Sequence, residues 1–125
     1  MFVPYNANPD NNHVGDCTIR AISAITGKCW DEVYIGIAVL GYMAKDMPSA
    51  DSVWGEYLKR AGFTRRSIPR DLPAKFTVRD FCEDVPNGEY LLAIPGHLVY
   101  VSNGRYYDTW DSGDEQPIYY WTRKE

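Results

Sequence analysis

Hydrophobic residues recur at helical spacing soon after the start of the chain. In the segment CTIRAISAIT, Ile19, Ile22 and Ile25 fall on one face of a helix. Asp16 precedes this segment as a predicted N-cap, and Gly27 follows it as a C′ residue. The pattern therefore predicts a helix that begins at position 17, after an Asn-, Asp-, Pro- and Gly-rich loop over residues 4–16.

Three more helices are predicted before the last third of the chain. One runs from about Trp30 to Met43, and because it is apolar on all sides we expect it to be central. The next lies in SADSVWGEYLKRAGF and is capped near Ser49 or Ser52. The last lies in TVRDFCEDVP, where Thr77 and Asp80 have the spacing of a capping box.

The last third of the chain alternates strand-like runs with turn residues. After a short strand near Phe63 to Ile68, strands are predicted near residues 90–95, 97–102, 105–110 and 117–122. Helices followed by strands indicate an α+β fold, with N-terminal helices packed on a C-terminal, mostly antiparallel sheet. We expect Leu92, Ile94, Val99 and Val101 to cover the apolar face of the first helix. The length of 125 residues suits a single domain, residues 1–125.

The dipeptide Asn103-Gly104 is a strong signal for a two-residue hairpin turn. A two-residue loop fixes the register of the two strands that it joins, and residues of the same parity share a sheet face. His97 and Asp108 then lie diagonally on one face, within reach of a hydrogen bond, whereas Asp111 lies on the other. The hairpin predicts a histidine oriented by a carboxylate, although such pairs are also found as purely structural contacts.

Cys17 stands out among the three cysteines because it occupies the first turn of a predicted helix. There the unpaired backbone amides and the helix dipole favour a thiolate, which is the nucleophile of cysteine enzymes. The charge of Asp16 opposes this effect unless its carboxylate turns back to cap the helix. Cys29 and Cys82 are interpreted as small hydrophobic residues, and the same alternative is open for Cys17.

Composition and charge further restrict the classes of partner and function that we expect. Lys and Arg number 13 and Asp and Glu number 17, giving a net charge of −4, which does not favour general binding of nucleic acid. Three cysteines without a CxxC pair predict reduced thiols and no metal site, and no segment is typical of a membrane span or signal peptide. We expect no nucleic acid, membrane, cofactor or metal among the partners, and a location inside the cell.

The order of these segments resembles the papain-like cysteine peptidases. That family has a Cys at a helix start, then a His that opens a strand, then an Asp on the next strand. The corresponding segments of this chain are, in order, GDCTIRAIS, GHLVYV and GRYYDTWDS. The chain is most similar to small bacterial and phage members, including the bacteriocin-leader peptidases, which have Asp directly before the Cys. The resemblance implies Cys17 as nucleophile, His97 as base and Asp108 as its orienting group. Asn12 or Asn11 stands where the family has a Gln that helps hold the oxyanion.

The resemblance implies a cysteine hydrolase, a peptidase or amidase that cleaves a peptide or isopeptide-like amide bond of a peptide or protein substrate. It also implies a cytoplasmic location in a bacterial or phage-infected cell, and it leaves acyl transfer open. An alternative is a catalytically idle protein of the same fold, such as a phage-encoded inhibitor of a host factor. A cell-wall amidase is disfavoured, because the sequence contains no recognisable export signal.

Overall fold

The computed structural model describes residues 1–69 and 75–124, which form an α+β fold of helices and a mixed sheet. The helices are Cys17–Thr26 (α1), Trp30–Ala44 (α2), Asp51–Arg60 (α3) and Val78–Asp84 (α4). The strands are Phe2–Pro4 (β1), Phe63–Ser67 (β2), Glu89–Ile94 (β3), His97–Ser102 (β4), Arg105–Asp108 (β5) and Tyr119–Arg123 (β6). Helices and strands therefore follow the predicted order, with β1 as an addition.

The ends of the helices agree with most of the capping signals. Gly27 adopts the left-handed conformation, with φ 74°, at the C-terminus of α1. Thr77 and Asp80 form the predicted capping box of α4. The N-cap of α3 is Ala50, so the prediction of a Ser49 or Ser52 cap was wrong by one or two residues.

The sheet has the strand order β1-β5-β4-β3-β6-β2. All neighbouring strands are antiparallel except β1 and β5, which pair in parallel. The ring of Phe2 packs on that of Tyr106, with centroids 5.6 Å apart. The sequence did not predict β1, because three residues are too few for an alternating pattern to be recognised.

The β4–β5 hairpin has the predicted register. Asn103 and Gly104 have φ of 49° and 77°, as a type I′ turn requires at both positions. Ser102 pairs with Arg105, and the register continues to Tyr100 opposite Tyr107. The turn thus determines which residues of the two strands share a face.

Hydrophobic cores lie on both faces of the sheet, and α1 packs on the face opposite to the predicted one. Its buried residues Ile22 and Ile25 contact a core that contains Leu91, Ala93 and Leu98. The residues expected to cover α1 lie instead in the core under α4: Leu92, Ile94, Val99 and Val101. Because both faces of these strands are apolar, hydrophobicity alone could not assign the face.

Helix α2 is a surface helix, and the prediction that it is central was wrong. Val33, Ile37 and Gly41 are buried against the core. Several large apolar side chains on the same helix are exposed: Tyr34, Ile35, Val39, Tyr42 and Met43. The helix is hydrophobic all round, but only one stripe of it is covered.

Candidate active site

Cys17 and His97 are both the first residue of their element, α1 and β4 respectively. The thiol of Cys17 is partly buried and lies close to the His97 side chain and the backbone N–H of Leu98. Burial acts to raise the pKa of this thiol, but the contact and charge of His97, together with the backbone N–H of Leu98, outweigh it. The pKa of Cys17 is therefore lowered, with a smaller contribution from the charge of Arg20. The environment favours a thiolate.

His97 is held from its other side by Asp108, as the hairpin register predicts. The Nε2 atom of His97 lies 2.6 Å from Oδ2 of Asp108. Since Nε2 is used in this way, Nδ1 is the ring nitrogen that remains for the thiol of Cys17. Burial acts to lower the pKa of His97, but the hydrogen bonds and charges of Asp108 and Cys17 raise it to about 9. The two groups therefore favour a thiolate–imidazolium pair.

Donors surround the carboxylate of Asp108, which is only 2% exposed. Oδ1 accepts hydrogen bonds from the backbone N–H of Thr109 at 2.8 Å and from Nη1 of Arg20 at 3.3 Å. Oδ2 accepts from Oγ of Ser112 at 2.8 Å in addition to His97. Burial acts to raise the pKa of Asp108, but these donors, His97 first among them, lower it. Asp108 is therefore held ionised and in one orientation.

Asp16 is the N-cap residue of α1, as predicted, but its side chain makes no capping hydrogen bond. Its carboxylate turns away and accepts from Nε of Arg20 at 2.8 Å and from Nε1 of Trp30 at 2.9 Å. Arg20, itself 7% exposed, joins Asp16 to Asp108. The guanidinium therefore balances the charge that we expected Asp16 to exert on Cys17.

The sequence analysis did not identify Arg20 as part of the site. Asp16 and Arg20 are four residues apart with the acid first, a spacing that favours an ion pair along a helix. That signal was present but was not used, because Asp16 was assigned to the N-cap. The contact from Arg20 to Asp108 spans 88 residues and could only be seen in the folded chain.

Two clefts meet at the Cys17–His97 pair. One, of about 350 Å³, is lined by Asn12, Gly15, Thr109 and Trp110 among others. The other, of about 240 Å³, lies toward α3 and β6. Both clefts include Cys17 and His97 in their walls. The ring of Trp110 lies 5.0 Å from that of His97, centroid to centroid, and shields it on one side. The pair is thus accessible from both directions.

The two asparagines considered for the oxyanion site differ in position. Asn12 lines the larger cleft together with Cys17 and His97. Asn11 is not among the described residues that line it, and its Oδ1 accepts a hydrogen bond of 3.4 Å from Asn6. The oxyanion role remains a prediction for either residue, and the position of Asn12 suits it better.

The remaining cysteines lie outside the site. Cys82 is buried under the sheet, as expected of a small hydrophobic residue, and burial raises its pKa to about 11. Cys29 is exposed at the N-cap of α2, so its interpretation as a small hydrophobic residue was wrong. A polar connection between two helices leaves its thiol in solvent.

Within residues 1–69 and 75–124, no group of three or more His, Cys, Asp and Glu side chains is placed to hold a metal ion. None of the helices there is both long and apolar enough to cross a membrane.

Comparison of the chain with models of protein families, with curated proteins and with solved structures finds no match. The chemistry of the site must therefore be argued from its own residues.

Proposed function

We propose that this protein is a papain-like cysteine hydrolase that cleaves a peptide or isopeptide-like amide bond. One observation carries the proposal. A thiol at a helix N-terminus interacts with a histidine whose other nitrogen is bound to a buried carboxylate, and each contact favours the charged pair. A nucleophile, a base and a group that orients the base are the parts that nucleophilic acyl transfer requires.

In the first step the thiolate of Cys17 attacks the carbonyl carbon, forming the S–C bond while the carbonyl electrons move to oxygen. When the carbonyl re-forms, the C–N bond breaks, and the imidazolium of His97 gives its proton to the departing amine. Water then attacks the thioester, His97 takes a proton from it, and the C–S bond breaks to release the acid and the thiolate. Asp108 keeps His97 in the required orientation and tautomer throughout.

The negative oxygen formed in this reaction needs hydrogen-bond donors. Because the side chain of Asp16 makes no capping hydrogen bond, it does not occupy the N–H groups of the first helical turn. The N–H of Cys17 and the side-chain amide of Asn12 can serve as such donors from the wall of the larger cleft. Loss of one donor of this kind typically raises the barrier by about 3–4 kcal/mol.

The shape of the surface favours a polypeptide over a small amide. Beyond the two clefts at Cys17 lies a third cavity of about 140 Å³, which shares Gly15, Thr18 and Ser49 with the cleft of about 240 Å³. The three cavities are therefore neighbours, and the reactive pair lies in the walls of two of them. Several neighbouring cavities suit an extended chain that lies across Cys17.

A library of synthetic peptides and lysine-branched peptides, analysed by mass spectrometry, tests the proposal. We expect the wild-type protein to cleave members of the library and the Cys17→Ala variant to cleave none. Cys29→Ala is the matched control, because it removes an exposed thiol outside the site and should retain full activity. Cleavage by Cys17→Ala at the wild-type rate, or a library left intact by the wild type, would refute the proposal.

The exposed apolar side chains of α2 favour a second candidate function, that of an idle protein of the same fold that binds a partner. Alkylation by iodoacetamide separates the two candidates. A hydrolase requires Cys17 to be alkylated much faster near neutral pH than the exposed thiol of Cys29, and equal, slow alkylation of the two thiols would favour the idle protein.

A further inference from the structure

The cleft of about 240 Å³ beside Cys17 is lined by polar and large apolar side chains and by one carboxylate. Its walls include Trp54 from α3, Ile118, and Tyr119 from β6. Asp51, the first residue of α3, also lines this cleft. Among the described residues that line it, Asp51 is the only Asp or Glu, and none is a Lys or Arg. Away from the Cys17–His97 pair, the cleft therefore offers apolar surface beside one negative charge.

Asp51 is exposed at the start of α3 and makes few contacts with other side chains. It accepts one long hydrogen bond, of 3.4 Å, from the hydroxyl of Tyr119. None of the ion pairs formed among residues 1–69 and 75–124 includes Asp51. The guanidinium of Arg65 stacks instead on the ring of Tyr119, 3.7 Å from its centroid.

We propose that this cleft receives a lysine or arginine side chain of the substrate close to the scissile bond, with its cation against Asp51. The inference rests on the proposed function, since the same cleft includes Cys17 and His97 in its wall. A long basic side chain fits because its methylene stem can lie on Trp54 and Tyr119 while its charged end reaches the carboxylate. A purely apolar side chain would remove water from Asp51 and supply no partner for it.

Chloromethyl ketones test this binding without requiring hydrolysis. They alkylate an active-site thiol after their side chain has bound, and lysyl and norleucyl reagents with the same blocking group differ only in the terminal amine. We expect the lysyl reagent to alkylate Cys17 up to about fivefold faster, which is the advantage that an exposed ion pair can provide. The advantage should shrink as the ionic strength rises.

Two variants assign the preference to Asp51. In Asp51→Asn, alkylation of Cys17 by the lysyl reagent should slow to the rate of the norleucyl reagent. The rate with the norleucyl reagent should stay within about twofold of that of the wild type. Asp31→Asn is the matched control, because Asp31 is an exposed acid in the first turn of α2 just as Asp51 is in the first turn of α3. It should leave both rates unchanged. In Asp51→Lys the preference should move to a glutamyl reagent.

The outcomes separate the two proposals. Equal lysyl and norleucyl rates in the wild type, a lysyl advantage that survives in Asp51→Asn, or no alkylation of Cys17 would overturn the assignment of the cleft. A lysyl advantage that depends on Asp51, in a protein that cleaves no peptide of the library, would refute the proposed hydrolysis but support the binding of a basic side chain in the cleft. Cleavage of the library without a lysyl advantage would support hydrolysis but refute the assignment of the cleft.

Discussion

Nη1 of Arg20 lies 3.3 Å from Oδ1 of Asp108, so helix α1 carries both the reactive thiol and a cation that holds the orienting carboxylate. Cys17 and Arg20 are three residues apart and therefore project from one side of the helix. A displacement of α1 along the sheet would move the nucleophile and the support of Asp108 together. The site is thus built as one unit, although its residues come from distant parts of the chain.

The first prediction concerns stability and the burial of Arg20. Replacing it with Met leaves the carboxylates of Asp16 and Asp108 buried without their shared cation, which should reduce the free energy of unfolding by about 3–5 kcal/mol. Arg60→Met is the control, because Arg60 forms an ion pair with Glu56 at the same i,i+4 spacing on the surface. It should cost about 0.5 kcal/mol or less. Urea unfolding of both variants measures the difference, and equal costs would contradict the role of the buried pair.

The second prediction concerns the four donors around Asp108. An asparagine has only one oxygen, and the donors Thr109 and Arg20 compete for it with His97. If the amide oxygen faces Thr109 and Arg20, the NH₂ group faces Nε2 and forces the wrong tautomer on His97. We therefore expect Asp108→Asn to lower turnover by about 10²–10⁴-fold.

The control for this change is Asp111→Asn, which alters a half-exposed carboxylate on the neighbouring turn. Its turnover should stay within about twofold of the wild type, since surface changes away from the site have small effects. If the Asp108→Asn variant retains full activity across the pH range, another group orients His97.

The third prediction concerns pH. Hydrolysis requires the thiolate of Cys17 and the imidazolium of His97 together, and both exist between the lowered pKa of Cys17 and the His97 pKa of about 9. The hydrolysis rate should rise from acid pH and fall again as the pH passes about 9. Alkylation by iodoacetamide needs only the thiolate and should not fall there. The rise and the fall of the hydrolysis rate with pH both reflect the coupled Cys17–His97 pair and not one residue alone. Hydrolysis that continues to rise above pH 9 would exclude His97 as the acid that protonates the amine.

The fourth prediction compares two isoleucines of α2. Ile37 is 1% exposed and Ile35 is 62% exposed. Ile37→Ala should reduce the free energy of unfolding by about 2–5 kcal/mol, because it opens a cavity in the core. Ile35→Ala should cost less than about 1 kcal/mol. Thermal or urea unfolding measures both, and similar costs would mean that a partner surface covers Ile35 in solution.

Local signals predicted the elements of the fold better than their packing. The start of α1 at Cys17, the capping box of Thr77 and the turn at Asn103 each depend on a few adjacent residues. They were all confirmed. The face on which Ile22 packs and the exposure of α2 depend on which other elements cover a surface, and the apolar pattern is the same in either case.

The same distinction between local signals and tertiary packing applies to the residues of the candidate site. Because the hairpin fixes a register, His97 could be placed beside Asp108 from the sequence, and the 2.6 Å hydrogen bond agrees with it. The contact of Arg20 with Asp16 follows from their i,i+4 spacing, but the contact of Trp30 with Asp16 depends on where α1 and α2 meet. No local pattern encodes that meeting. The carboxylate of Asp51 beside Cys17 likewise arises from the placement of α3 against the sheet.

The two-residue turn at Asn103 has a consequence for how this chain can vary. In most surface hairpins an added or lost loop residue is tolerated, because loops accept changes of length at little cost. Here one extra residue that shifted the strand pairing would exchange the two faces of β5 relative to β4 and carry Asp108 away from His97. Related chains that retain the chemistry should therefore differ in the residues of this turn but keep its length.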